Sequence, residues 1–185
     1  LVSYPEAAMA AVMATAWHNI EGASRLSGQD GAGGLHGLAL ARTALDNRVA
    51  TASLTSASFS NNGFYTYNIY LKGGDRTRVC LAWSSMANAA YTTDTLQADL
   101  DISILAGVSA TTGTFYGSSV SFNNNFEIVE FTPPTAGWYT VRVNDYTFTG
   151  TQEYIGIAWT QKYEDTSHFR LRPWSPETSN LHGPT

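Results

Sequence analysis

The hydrophobic period of this chain changes near residue 48, and that change decides most of what it can fold into. Before it, small and apolar residues dominate, as in Pro5-Glu6-Ala7-Ala8-Met9-Ala10-Ala11-Val12-Met13-Ala14-Thr15-Ala16. After it, apolar residues alternate with polar ones, and Thr, Tyr, Val and Ile become common. One element cannot obey both a helical and a strand period, so two structural parts are required. The expected division is a helical segment over 1–48, a β-sandwich domain over 49–164 and an extended tail over 165–185, where Pro173, Pro176 and Pro184 break the alternation.

The first helix is expected to start at a capping box. Ser3 accepts from the amide of Glu6, and the Glu6 carboxylate reaches back to the amide of Ser3. Pro5 fits the first turn, where its missing N–H costs nothing. From Ala7 to Trp17 almost every face is small or apolar, so the helix needs a covering surface. Three coverings are open: the sandwich, a second copy of the chain through self-association, or a separate catalytic part. After a loop with Asp30-Gly31-Ala32-Gly33-Gly34, a second helix is expected over Leu35 to Arg48, with Leu38, Ala41 and Leu45 on its apolar stripe. The glycines read as tight turns with positive φ, because no strand precedes them and no Gly-Lys-Ser/Thr follows.

About eight strands follow, near Ala52–Phe59, Phe64–Leu71, Thr77–Trp83, Asp99–Leu105, Thr114–Phe122, Phe126–Phe131, Trp138–Asp145 and Tyr154–Gln161. Turn residues separate them, among them Asn61-Asn62-Gly63, Gly73-Gly74-Asp75 and Asn123-Asn124-Asn125. Short strands at regular spacing with no helical pattern between them predict a mainly β fold, an antiparallel jelly-roll-like sandwich.

Composition removes several functions. Lys+Arg total 10 against 15 Asp+Glu, and Lys occurs only at Lys72 and Lys162, so the basic patch of a nucleic-acid binder is missing. No apolar run approaches the ~20 residues of a membrane span. The single cysteine, Cys80, excludes an internal disulfide and any CxxC site. Cys80 sits between Val79 and Leu81 and is expected to pack as a small hydrophobe. Low charge with abundant Ser, Thr, Asn and Gly accords with a secreted β protein.

The Pro5–Ala16 run and the later Asp30-Gly31-Ala32-Gly33-Gly34-Leu35-His36-Gly37-Leu38-Ala39-Leu40 segment resemble the last helices of the subtilisin-like serine peptidases. Leu35-His36 departs from the commoner Val/Leu-Asn/Asp of that family. The rest is similar to the sandwich modules that follow subtilase catalytic domains, the pre-peptidase C-terminal and convertase P-type jelly rolls. The matching runs are Arg78-Val79-Cys80-Leu81-Ala82-Trp83, Asp99-Leu100-Asp101-Ile102-Ser103-Ile104, Asn123-Asn124-Asn125-Phe126-Glu127 and Thr135-Ala136-Gly137-Trp138-Tyr139-Thr140-Val141-Arg142-Val143. The resemblance implies the C-terminal part of a secreted serine endopeptidase, whose sandwich stabilises the enzyme or binds a protein or polysaccharide substrate. The alternative is a non-catalytic extracellular binding or structural module.

Peptide hydrolysis by such a family needs Ser, His and Asp in one constellation. The family's Gly-Thr-Ser nucleophile motif does not occur in this sequence. His36-Gly37 is followed by Leu38-Ala39 rather than by the family's Thr-His, so the chain alone is expected to be inactive, with no catalytic residues. Two other features carry chemistry. Asp99 and Asp101 fall on one face of a strand and, with Asp94 or loop carbonyls, are candidates to hold Ca²⁺ through oxygen ligands. Phe64, Thr66, Asn68 and Tyr70 share one strand face, and Tyr65, Tyr67 and Ile69 the other; an exposed aromatic row would form a binding platform.

Overall fold

The computed structural model describes residues 4–16, 31–60, 62–87, 89–90, 92 and 94–161. Ser3, Trp17, Asn61, Tyr91 and the expected tail over 165–185 lie outside the described residues. Two helices, α1 (Pro5–Thr15) and α2 (Gly37–Leu45), precede the strands. The strands are β1 (Val49–Leu54), β2 (Tyr65–Leu71), β3 (Thr77–Trp83), β4 (Met86–Ala87), β5 (Asp94–Thr95), β6 (Ala98–Ala106), β7 (Phe115–Ser119), β8 (Phe126–Phe131), β9 (Gly137–Phe148) and β10 (Glu153–Gln161).

Eight of the strands form two four-stranded antiparallel sheets, ordered β1-β10-β3-β8 and β2-β9-β6-β7, and the short β4 and β5 pair with each other. The mainly β sandwich preceded by two helices is therefore the fold that the alternation implied. Its core lies between the sheets. Val79, Leu81 and Trp83 of β3 and Ile155, Ile157 and Trp159 of β10 meet Leu100, Ile102 and Ile104 of β6 and Tyr139, Val141 and Val143 of β9. Each set is spaced by two residues, as one face of a pleated strand requires. Trp83 is buried with its indole N–H donating to the Ala98 carbonyl, 2.9 Å away.

Every residue of β3 is buried, because both of its faces are covered. The second cover is α1. Ala7, Ala10, Ala11 and Ala14 are fully buried on one side of that helix, at the i, i+3, i+4, i+7 spacing of a single face. They pack on the outer face of the first sheet against Cys80, Ala82, Ile128 and Ala158, with Met9, Met13, Val49 and Phe126 around them. Small residues on both surfaces let helix and sheet approach closely. At Gly156 a Cβ would lie 2.4 Å from the Glu6 carbonyl oxygen and 2.5 Å from Ala7 Cα, so only glycine fits.

Polar groups finish the docking. Arg78 reaches from β3 under the C-terminal end of α1, and its side chain is fully buried. Its Nη1 donates to the carbonyls of Ala16 (2.7 Å), Met13 (3.2 Å) and Ala32 (3.3 Å), and its Nε donates to Glu130 Oε1 (2.6 Å). A cation at the carbonyl end of a helix satisfies acceptors that the helix cannot, and it opposes the macrodipole favourably. At the other end Ser84 Oγ donates to Glu6 Oε1 at 2.5 Å, and the Ser84 amide donates to Glu153 Oε1 at 3.3 Å.

Several local expectations are corrected. The N-cap of α1 is Tyr4, without a side-chain cap, and the Glu6 carboxylate accepts from Ser84 just beyond β3; Ser3, the expected box partner, lies outside the described residues. Val12 stays exposed, so α1 is not buried on every face. Helix α2 is shorter than Leu35 to Arg48. His36 is its N-cap, accepting the Ala39 amide on Nδ1 at 3.0 Å, and Asn47 at φ 53° turns the chain out of the helix. Its buried residues are Ala39 and Thr43, with Leu40 partly buried against the cluster under α1, whereas Leu38 and Leu45 are exposed. The first strand runs over Val49–Leu54, and Ser56–Phe59 form a 3-10 turn. Thr55 and Ser58 cap that turn reciprocally, and it folds Phe59 in against Phe148, ring centroids 5.9 Å apart. Gly31 and Gly33 do adopt positive φ, as tight turns require.

Candidate functional site

Among the described residues no helix packs on the outer face of the second sheet. Thr66, Asn68 and Tyr70 of β2 share it with Trp138, Thr140, Arg142 and Asn144 of β9 and Asp101 and Ser103 of β6. Alternation puts these residues outward, because Ile69, Leu71, Tyr139, Val141, Val143, Leu100 and Ile102 take the inward positions. Cross-strand bonds tie the row together. Arg142 Nε donates to Ser103 Oγ (2.9 Å), Asn144 Nδ2 to Asp101 Oδ2 (3.1 Å) and Thr140 Oγ1 to Asn68 Oδ1 (2.9 Å). The Arg142 guanidinium also lies over the Phe64 ring, 4.1 Å from its centroid.

Exposed aromatics flank this polar row. Tyr70 and Trp138 are cross-strand partners in an edge-to-face pair with centroids 5.6 Å apart, and both rings are more than half exposed. Near the other end of β9, Tyr146 meets Phe122 edge-to-face at 5.2 Å, again with both rings exposed. Asp99 pairs with Thr147 and Leu100 with Asp145, so Tyr146 sits at a bulge near that end of β9. The expected aromatic row of β2 is thus reduced to Tyr70. Tyr65 and Tyr67 pack against the core, and Tyr67 lies beside Trp159 at 5.9 Å. The face thus holds exposed aromatic pairs and, between them, a row of polar and charged side chains in which Thr140 and Ser103 are buried and Thr140 and Arg142 also donate to the carbonyls of Gly107 and Ala110.

Asp99 and Asp101 do lie on one face of β6. Asp99 is buried with Oδ1 lacking a hydrogen-bond partner, and Asp101 is bound by Asn144. Burial raises both carboxyls above their ordinary range; Asp101 pushes Asp99 further, and Asn144 pulls Asp101 back. The Asp94 side chain lies outside the described residues. Among the described residues no group of three or more His, Cys, Asp and Glu is placed to hold a metal ion.

His36 caps a helix, and Cys80 lies fully buried between α1 and the first sheet, its thiol pushed far up by burial. Three buried charged residues, Arg78, Glu127 and Glu153, escaped the sequence reading. Arg78 falls inside the expected strand Thr77–Trp83, at an outward position that α1 covers. Glu127 shares strand parity with Val129 and so points into the sandwich, where Ser119 Oγ donates to its Oε2. A charge at an inward position was the available signal.

The comparisons with known proteins bear on this same region. Residues 58–145 match the family model of the bacterial pre-peptidase C-terminal domain. The match runs from the 3-10 turn through β9 to Asp145, and so includes Tyr70, Asp99, Asp101, Glu127 and Trp138. It leaves out both helices, β1 and β10. No curated protein matches. Among solved structures, a periplasmic inhibitor of g-type lysozyme from Aeromonas hydrophila is 15% identical, covering 62% of this chain and 84% of that one, at a TM-score of 0.40. The surface-associated copper-binding protein CorA of Methylomicrobium album BG8 is 11% identical, covering 63% and 94%, at 0.46. A capsid structure of Helicobacter pylori bacteriophage KHP30 is 13% identical, covering 61% and 85%, at 0.34. Similarities this low say nothing of function. No helix among the described residues is long and apolar enough to cross a membrane.

Proposed function

We propose that this chain is the non-catalytic C-terminal part of a secreted subtilisin-like serine endopeptidase, and that the outer face of its second sheet holds extended substrate for the enzyme. The observation that carries this reading is the match of residues 58–145 to a peptidase-associated domain, directly behind a segment that resembles the last subtilase helices. The exposed Tyr70–Trp138 pair supplies the contact surface. Aromatic rings give large contact area at low entropic cost, and they dominate binding hot spots.

The purified chain is expected to cleave no peptide and to co-sediment with an insoluble protein fibre or polysaccharide. Replacing both Tyr70 and Trp138 by Ala should weaken that co-sedimentation by about tenfold or more. Peptidase activity in the purified chain, or binding indifferent to the double replacement, contradicts the reading. The parent gene should encode a Gly-Thr-Ser motif within a few tens of codons upstream of Leu1.

One observation favours a second reading. The small-residue face of α1 is taken up by the chain's own sandwich, as in a self-contained extracellular binding module. Substrate co-sedimentation together with an upstream reading frame that lacks the Gly-Thr-Ser motif would support that module instead.

A further inference from the structure

The β7–β8 side of the sandwich is closed by side chains, not by backbone. β7 ends the second sheet and β8 ends the first, and the two are not paired. Three contacts cross the gap. Tyr116 stacks on Phe131 with centroids 5.6 Å apart at one end. In the middle Gly117 faces Val129 so closely that a Cβ would meet Val129 Cγ1 at 3.1 Å. At the other end, next to the 120–125 connection, Ser119 donates its hydroxyl to Glu127.

We propose that the Ser119–Glu127 contact is a pH-operated latch between the two sheets, closed while the Glu127 carboxyl is neutral and loosened when it ionises. The geometry carries the inference. Glu127 is almost fully buried, one carboxyl oxygen has the serine hydroxyl, and Oε1 has no hydrogen-bond partner. A buried carboxylate needs several donors or a cation to offset its lost hydration. A neutral carboxyl does not, and its own O–H can donate. The surrounding charges act in the same sense. From β6, Asp101 and Asp99 repel a negative Glu127; on β3 the Cys80 thiol, kept protonated by burial, carries no charge to offset it; and from β7 only the Ser119 hydroxyl favours the ion. Burial is the largest influence, and together these hold the carboxyl at about 7 instead of the ordinary 4.5.

The direction of the pH effect follows. Below about 4.5 the carboxyl is protonated whether the seam is closed or open, so the latch is pH-indifferent. Between about 4.5 and about 7 the open form ionises while the closed form keeps its proton, so each rise in pH favours opening. Above about 7 the cost is complete and the curve levels. Opening frees edge strand β7 and the connection that carries the exposed Phe122, next to Tyr146.

The test is amide hydrogen exchange of the whole chain between pH 5 and pH 9, corrected for the intrinsic rate. Exchange at β7 and the N-terminal half of β8 should rise by up to about tenfold per pH unit between pH 5 and pH 7 and then level. In Glu127→Gln the same amides should show no such dependence, and in Ser119→Ala the rise should start at the same pH but continue to higher pH before it levels. Exchange in the wild type that ignores pH overturns the latch. So does a Glu127→Gln variant that keeps the wild-type profile, which assigns the effect to Asp99 and Asp101. Should a variant not fold, NMR titration of ¹³C-labelled glutamate carboxyls in the wild type decides. One midpoint near 7 supports the latch, and all midpoints in the ordinary range contradict it.

Discussion

The outward residues of β3 and β10 include Cys80, Ala82, Gly156 and Ala158, whereas those of β6 and β9 include Asp101, Ser103, Arg142 and Asn144. The two sheets share a core and a strand number, yet one outer face lies beneath a helix, while on the other Tyr70 and Trp138 stay exposed and only the 107–110 loop meets Thr140 and Arg142. Side-chain size makes the difference as much as polarity. A helix can bury a sheet face closely only where both surfaces lack bulk, and α1 brings four alanines to a face holding Gly156. The other face carries long polar groups that bond across strands, and its two aromatic pairs remain accessible. One face serves stability, and it is the other that the proposed function assigns to recognition.

The comparison breaks most readily at Arg78. Replacing it with Met is expected to destabilise the chain by about 3–5 kcal/mol in denaturant unfolding, because Glu130 and the α1 carbonyls lose a buried partner. A loss under about 1 kcal/mol would mean that α1 is not anchored there. Next in size is Gly156→Val. The added methyls have no room beneath Glu6 and Ala7, and a cost of about 1–3 kcal/mol is expected as the helix shifts outward. The same change at Gly137, where a Cβ meets nothing within 4 Å, should cost clearly less.

On the open face the expectations reverse. Trp138→Ala should cost about 1 kcal/mol of stability, the worth of an exposed ring pair, while weakening polymer binding strongly. Asp99→Asn should raise the thermal midpoint slightly, since it removes a charge that is buried, partly unpartnered and repelled by Asp101. A lowered midpoint, together with wild-type stabilisation by millimolar Ca²⁺, would instead make Asp99 a cation ligand.

Strand parity was legible along most of the sandwich. Val79, Leu81 and Trp83, or Val141 and Val143, alternate cleanly enough to reveal which side faces the core. The first strand was overextended because Phe59 looks like a strand residue; the reciprocal Thr55–Ser58 cap that turns the chain inward is a local hydrogen-bond event without a hydrophobic signature. The apolar stripe of α2 was misplaced for a different reason. Leu38 and Leu45 are more hydrophobic than Ala39 and Thr43, but the face that turns inward is the one with Ala39, Leu40 and Thr43. Tertiary context, which decides that orientation, is not written in the propensity of single residues. For the candidate site, the sequence showed the aromatic richness and the paired aspartates. Which rings stay exposed depends on which sheet α1 covers, and Arg78 and Glu127 acquire their roles only when distant strands meet.

The contrast between the covered and the open face can be measured at one atom. Cys80 is the only thiol in the chain, and its side chain points from β3 into the contact with α1. Reaction with an uncharged maleimide under native conditions is expected to be slower than in denaturant by about a thousandfold or more, because the thiol reacts only when α1 lifts away or the chain unfolds. Rapid stoichiometric labelling of a chain that retains its β-sheet circular dichroism would show that the helix does not cover the sheet, and would contradict the account at its centre.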